Sequence, residues 1–201
     1  MANIIAVIWD FDKTIVDGYM QDPIFKEYGV DSTTFWDEVN KLPEVYEKEG
    51  VKVNQDTIYL NHFIKYAQEG KFKGLNNAQL KEYGKQLKFY KGIPEIFEKT
   101  KKEIETNSAY EEYNIKVEHY IVSTGMAQVI KGSDLMDYVD GVWGCELIEK
   151  EEIIAEIGYT IDNTSKTRAL FEINKGVNKH DSKIDVNSKV PKELRRVQFE
   201  N

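Results

Sequence analysis

Cysteine occurs once in this 201-residue chain, at Cys145, which excludes an internal disulfide framework. Proline is scarce, and the three histidines, His62, His119 and His180, have no spacing that suggests a metal site. Long apolar runs are missing. The longest, Ile4 to Trp9, is far short of the roughly 20 residues a membrane span needs, and no basic segment followed by an apolar stretch opens the chain. Basic residues are outnumbered, 27 against 35 acidic ones, and the net charge of -8 opposes binding to a nucleic-acid backbone. It does not oppose small phosphorylated molecules, which respond to local charge. Together these absences point to a cytoplasmic protein with no nucleic-acid or membrane partner.

What is present is ordinary globular composition, 41% hydrophobic and 31% charged, with length for a core domain carrying a smaller inserted one. Ile4-Ile5-Ala6-Val7-Ile8-Trp9 is a continuous apolar run without alternation, which fits a central parallel strand covered on both faces. It stops at Asp10. A second run, Tyr120-Ile121-Val122, stops at Ser123-Thr124-Gly125. Ligands of open parallel sheets sit beyond the carboxyl ends of the strands, so both polar endings point to one site.

Between these runs, residues 20–88 show helical spacing. Leu60, Phe63, Ile64 and Ala67 form one stripe, closed by Gly70; Leu80, Tyr83, Gly84 and Leu87 form another, after the caps Asn76 and Asn77. Phe35, Trp36, Val39 and Leu42 form a third, stopped by Pro43. The expected organisation is therefore an α/β core of residues 1–19 and 89–201, interrupted by an all-helical unit of residues 20–88. Within the core, Ile93 and Pro94 open a crossover helix, Met126 to Met136 form the next helix, and Gly141 to Cys145 a short strand. Residues 146–161 form a hairpin-like excursion, and Asn163-Thr164-Ser165 cap a helix from Lys166 to about Asn174, ended by Gly176.

Asp10-Phe11-Asp12-Lys13-Thr14 carries the clearest chemistry. Two carboxylates two residues apart on a strand-exit loop can reach one ligand, one as nucleophile and one as proton donor. Asp, Lys and Thr also simply populate turns, but the buried strand before them favours function. Ser123 either binds a ligand or caps the following helix, and Lys166 and Lys175 compete as the cation of the site. A helix N-terminus at Lys166 also turns its amides toward an anion.

Asp10-x-Asp12-x-Thr14 after a buried strand resembles the first motif of the haloacid dehalogenase superfamily. Ser123 with Thr124 and Gly125 resembles the second motif, and Lys166 the third, in the order that family has. The resemblance implies a Rossmann-like, mostly parallel sheet with flanking helices, and a helical cap between the first and second motifs. It implies a phosphatase in which Asp10 attacks phosphorus to give an aspartyl-phosphate and Asp12 is acid and then base. Lys166 and Ser123, with Thr124 and Gly125, would hold the phosphoryl group of a small phosphorylated metabolite, and Thr14 would fix the loop. Mg²⁺ would bridge Asp10 and the phosphate, with the Asp12 carbonyl as a further ligand. Lys13 stands where many relatives carry glycine.

The family's fourth, acidic motif is not recognisable after Lys166. Asp181 and Asp185 lack an apolar strand before them, and Arg196 to Asn201 reads as the approach to a missing strand. The expectation is a truncated core whose first strand is an open edge, covered by the chain's own C-terminal residues or by self-association. A catalytically silent fragment that acts only by binding remains the alternative.

Overall fold

The computed structural model describes residues 3–176. His180, Asp181, Asp185 and the segment Arg196 to Asn201 lie outside the described residues. The described residues form one four-stranded sheet with helices around it. Strand β1 (Asn3–Trp9) lies beside β2 (Ile115–Met126), followed by β3 (Gly141–Lys150) and β4 (Ile153–Tyr159). The first three strands are parallel and β4 runs antiparallel to β3. The sheet is thus the mostly parallel α/β sheet expected. No helix among the described residues is long and apolar enough to cross a membrane.

The branched run Ile4 to Trp9 does become a strand, but not a covered central one. Among the described residues β1 pairs only with β2, and its side chains are half-buried or exposed. By contrast β2 is buried through Tyr120, Ile121 and Val122. His119 ties the two together: its Nδ1 accepts the Trp9 indole N–H at 3.1 Å, and its Nε2 donates to the Phe97 carbonyl at 3.1 Å. A carbonyl can only accept, so this ring is neutral with the proton on Nε2. Burial pushes its pKa down.

Four helices follow β1 in succession: α1 (Asp22–Tyr28), α2 (Ser32–Lys48), α3 (Ile58–Gln68) and α4 (Asn77–Gly84). The α3 stripe is buried as its spacing requires, and Asn76 caps α4 through a reciprocal bond with Gln79. Pro43 does not stop α2, which runs on to Lys48. Proline removes one N–H, but Leu42 and Tyr46 still pack against the aromatic cluster of Phe25, Phe35, Phe63 and Phe72, and that packing outweighs the lost bond.

Helix α5 (Glu95–Glu105) follows Pro94 and leads to β2, and α6 follows as Ala127–Gly132 only, shorter than the expected Met126 to Met136. Its end is set where Ser133 turns extended and donates its hydroxyl to the Ile130 carbonyl. Strand β3 is longer than expected because β4 pairs it as far as Lys150, around a turn with Glu151 and Glu152 at positive φ. The last described helix is α7 (Lys166–Lys175), closed by Gly176 in the left-handed region.

The helices between β1 and α5 share one apolar cluster with the sheet, running from Phe11 and Ile15 through Phe35, Phe63 and Leu80 to Ile121, Val129 and Ile154. Backbone meets backbone where α4 crosses α6. A Cβ on Gly84 would sit 2.1 Å from the Val129 carbonyl oxygen, and one on Gly132 would sit 1.9 Å from that of Lys81. Alanine has the better helix propensity, by about 1 kcal/mol, so the two effects oppose each other at these positions. The steric one should win. Gly132→Ala is expected to destabilise the fold by about 2 kcal/mol or more in urea unfolding, and an unchanged midpoint would show that α4 and α6 can part freely.

Candidate active site

Strand β1 delivers Asp10 to the carboxyl edge of the sheet, and the loop after it is fixed by the backbone. The N–H groups of Thr14, Ile15 and Val16 all donate to the Phe11 carbonyl, at 3.2, 2.9 and 3.1 Å. Lys13 takes φ 57, a left-handed conformation that costs glycine little and other residues more. Its ammonium donates to the Tyr19 hydroxyl at 2.7 Å and lies 4.1 Å from that ring's centre, toward the root of the helices rather than Asp10. The outgoing and returning chain crossings are joined: Asp17 N–H donates to Lys88 O, and Tyr90 N–H to Ile15 O.

Lys166, at the start of α7, donates to Asp10 Oδ1 at 2.9 Å. Lys175 lies at the other end of α7, so of the two candidate cations it is Lys166 that reaches Asp10. The expected Asn163-Thr164-Ser165 cap is replaced by a reciprocal pair. Asp162 accepts the Ser165 N–H, the Ser165 hydroxyl accepts the Asp162 N–H, and the Lys166 N–H donates to the Asp162 carbonyl. The signal for Asp162 was its place three residues before Ser165, the spacing of a turn closed from both ends.

Asp12 accepts the Met20 N–H at Oδ1, 2.8 Å. Burial pushes its carboxyl up to about 7; the Met20 bond pulls the other way, and Asp10 and Asp22 nearby add to the rise. Asp10 and Asp12 thus differ in surroundings, Asp10 half-exposed beside an ammonium and Asp12 withdrawn from water. Asp17 is exposed in the loop.

Ser123 is buried, and its Oγ accepts the Gly125 N–H at 3.0 Å. The regular register between β2 and β3 lapses between Val122 and Met126, so the backbone of Ser123, Thr124 and Gly125 leaves the ladder at the sheet's carboxyl end. Two residues that the sequence did not single out for the site meet it here. Met20 Sδ lies 3.1 Å from the Met126 N–H, and a Cβ on Gly125 would run into the Met20 methyl at 2.1 Å. Tyr59 of α3 donates its hydroxyl to the Thr124 carbonyl at 3.0 Å, and Cys145, buried, lies against the same oxygen. Both Met20 and Tyr59 are buried, and the polar half of their role is invisible to a hydrophobic pattern. Beside Tyr59, Trp36 packs between Tyr59 and Tyr19, and its buried indole N–H has no partner among the described residues. Among the described residues no group of three or more His, Cys, Asp or Glu side chains could hold a metal ion.

This is the fold of haloacid dehalogenase-like hydrolases. The chain superposes at a TM-score of 0.55 on a HAD family hydrolase of Salmonella enterica serovar Typhi, 16% identical, covering 88% of this chain and 53% of that one. A phosphoserine phosphatase held as a phospho-aspartyl intermediate analogue gives 0.54 at 16% identity over 86% of this chain and 73% of that one. A substrate-bound phosphoserine phosphatase gives 0.55 at 17% identity over 89% and 74%. In sequence, the chain belongs to one family with an uncharacterized protein of Borreliella burgdorferi, 39% identical over 99% of this chain and 73% of that protein. No family model matches the chain.

Asp12 has a testable consequence for stability. Its folded pKa is raised above the ordinary 3.8, so its contribution is fully present below that value and is lost as pH rises through about 7. Asp12→Asn removes the charge and keeps an oxygen for the Met20 N–H. Its melting temperature should exceed that of the parent by about 5 °C at pH 8, with the difference shrinking toward pH 5. An equal difference at both values would show that Asp12 is not buried as a strained charge.

Proposed function

We propose that this protein is a Mg²⁺-dependent phosphomonoesterase acting on a small phosphorylated metabolite through an aspartyl-phosphate. The observation that carries the reading is Lys166 on Asp10, with Asp12, Ser123 and Gly125 on the neighbouring strand ends. A carboxylate approaches a phosphate dianion only where positive charge and donors are gathered. Lys166 supplies the charge.

Asp10 attacks phosphorus with its second oxygen, which receives no hydrogen bond among the described residues. The P–O bond to the leaving group breaks as Asp12 gives that oxygen its proton. Asp12, now ionised, takes a proton from the water that attacks the aspartyl-phosphate, and orthophosphate leaves with Asp10 restored. Burial, which pushes the Asp12 carboxyl up to about 7, suits it to the first of these steps. Ser123, whose Oγ already accepts the Gly125 N–H, keeps its own proton for a phosphate oxygen. Thr124 stays in place through Tyr59, and Thr14 belongs to the turn that holds the loop.

The Asp10 carboxylate and the Asp12 carbonyl are hard oxygens of the kind Mg²⁺ takes, so the residues present fit part of its shell. Mg²⁺ bound there would neutralise charge on the phosphoryl group. Residues 20–88 would act as a cap over Asp10, with Gly18 and Gly92, both at positive φ, as hinge points. Trp36 would use its free indole N–H for substrate choice. The analogue captured on the phosphoserine phosphatase of similar fold supports the covalent step.

Hydrolysis of a generic aryl phosphate is the test. Turnover is expected to require Mg²⁺, to stop on chelation, and to fall about a thousandfold or more in Asp10→Asn, which keeps shape and removes the nucleophile. Undiminished turnover by that variant, or full turnover with the metal chelated, would contradict the mechanism.

A further inference from the structure

Two turns that carry no reacting group meet beside the site. Ahead of α3, Asn54 closes one: its backbone carbonyl accepts the N–H groups of Thr57 and Ile58 at 3.3 and 3.0 Å, and its side chain accepts the Asp56 N–H at 2.9 Å. Ahead of α7, Asp162 closes the other, through Ser165 and the Lys166 N–H. Each turn also holds its neighbour. Asn54 Nδ2 donates to Asp162 Oδ2 at 2.7 Å, while Asn163 donates from its backbone N–H to Asp56 Oδ2 at 3.0 Å and from Nδ2 to Asp56 Oδ1 at 2.9 Å. Asp56 and Asn163 are 107 residues apart in sequence, so this is a contact between the helical segment and the core.

What the two turns introduce explains why their joining matters. One begins the helix that brings Tyr59 to the Thr124 carbonyl; the other begins the helix whose first residue is Lys166. The opposite side of the helical segment is held by α4 on α6, backbone against backbone and apolar, with no room to slide. The turn-to-turn contact is polar, and Asn54 and Asn163 are exposed, so water can replace its bonds at small cost. Helix α3 itself is buried in the apolar cluster it shares with the sheet, so loosening at this contact is confined to the turns ahead of α3 and α7.

The geometry points to a clasp in which Asn54, Asp56, Asp162 and Asn163 are positioning residues that couple the turn ahead of α3 to the placement of Lys166 on Asp10. Its effect on turnover rests on the proposed hydrolytic reading; its existence rests on the contacts alone. When the clasp opens, the Asp162 turn loses its outside partners, and the Lys166 ammonium loses its fixed approach to Asp10.

The test is a reciprocal exchange. Asn163→Asp sets a carboxylate against Asp56 and removes the amide donor. Asp56→Asn combined with Asn163→Asp restores one donor and one acceptor across the gap, and the new amide oxygen can still accept the residue-163 N–H. In the single variant, amide hydrogen exchange should quicken about tenfold in both residues 54–59 and residues 162–166, while melting stays near that of the parent. With an aryl phosphate and Mg²⁺, kcat should fall about tenfold with KM altered less than about twofold, and the double variant should recover both readouts to within about twofold. Unchanged exchange in the single variant, faster exchange confined to one of the two turns, or no recovery in the double variant would overturn the clasp. Should the parent hydrolyse no aryl phosphate, the hydrolytic reading fails by itself and the exchange measurement still decides the clasp.

Discussion

An ammonium and a carboxylate 156 positions apart in sequence meet at 2.9 Å, and the arrangement of the fold serves that contact. Asp10 needs β1 to carry it to the carboxyl edge, and Lys166 needs α7 to begin beside it. Asp12, two residues on, experiences the opposite surroundings: withdrawn from water and close to another carboxylate, it holds its proton to about neutral pH. Two like groups on one loop are thereby given different surroundings without any difference in residue type. Separating the environments of an acid and a nucleophile in this way is what phosphoryl transfer through a carboxylate demands.

The helical segment is joined to this site unequally on its two sides. Through α4 it is fused to α6 by close-packed glycines, and through Phe35, Phe63 and Leu80 it belongs to the same apolar cluster as the sheet. Through α3 it shares that apolar packing and also meets the site by hydrogen bonds, from Tyr59 to Thr124 and between the turns at Asn54 and Asp162. Apolar packing resists partial separation, whereas exposed hydrogen bonds exchange with water.

Much of this was legible before any coordinates. Continuous branched runs marked β1 and β2, helical periodicity marked α3 and α4, and the abrupt polar endings at Asp10 and Ser123 marked the edge where a ligand belongs. Failures were of particular kinds. Pro43 did not end α2 because aromatic packing on both sides of it outweighs one missing N–H. The length of β3 depended on its partner β4, and strand pairing is a non-local property. Met20 and Tyr59 were not singled out, because apolar patterning is silent about the sulfur and hydroxyl that meet the backbone of Met126 and Thr124. The covering expected for both faces of β1 is not provided by the described residues.

The claim that Asp10 is the atom donor to phosphorus is tested most directly by trapping. Acid quenching during turnover of an aryl phosphate with Mg²⁺, followed by peptide mass analysis, should find one phosphoryl group on Asp10, labile to hydroxylamine as an acyl phosphate is. Turnover that proceeds with the phosphoryl group on another residue, or with no covalent species in quenched samples of the parent and of Asp12→Asn, would contradict the account.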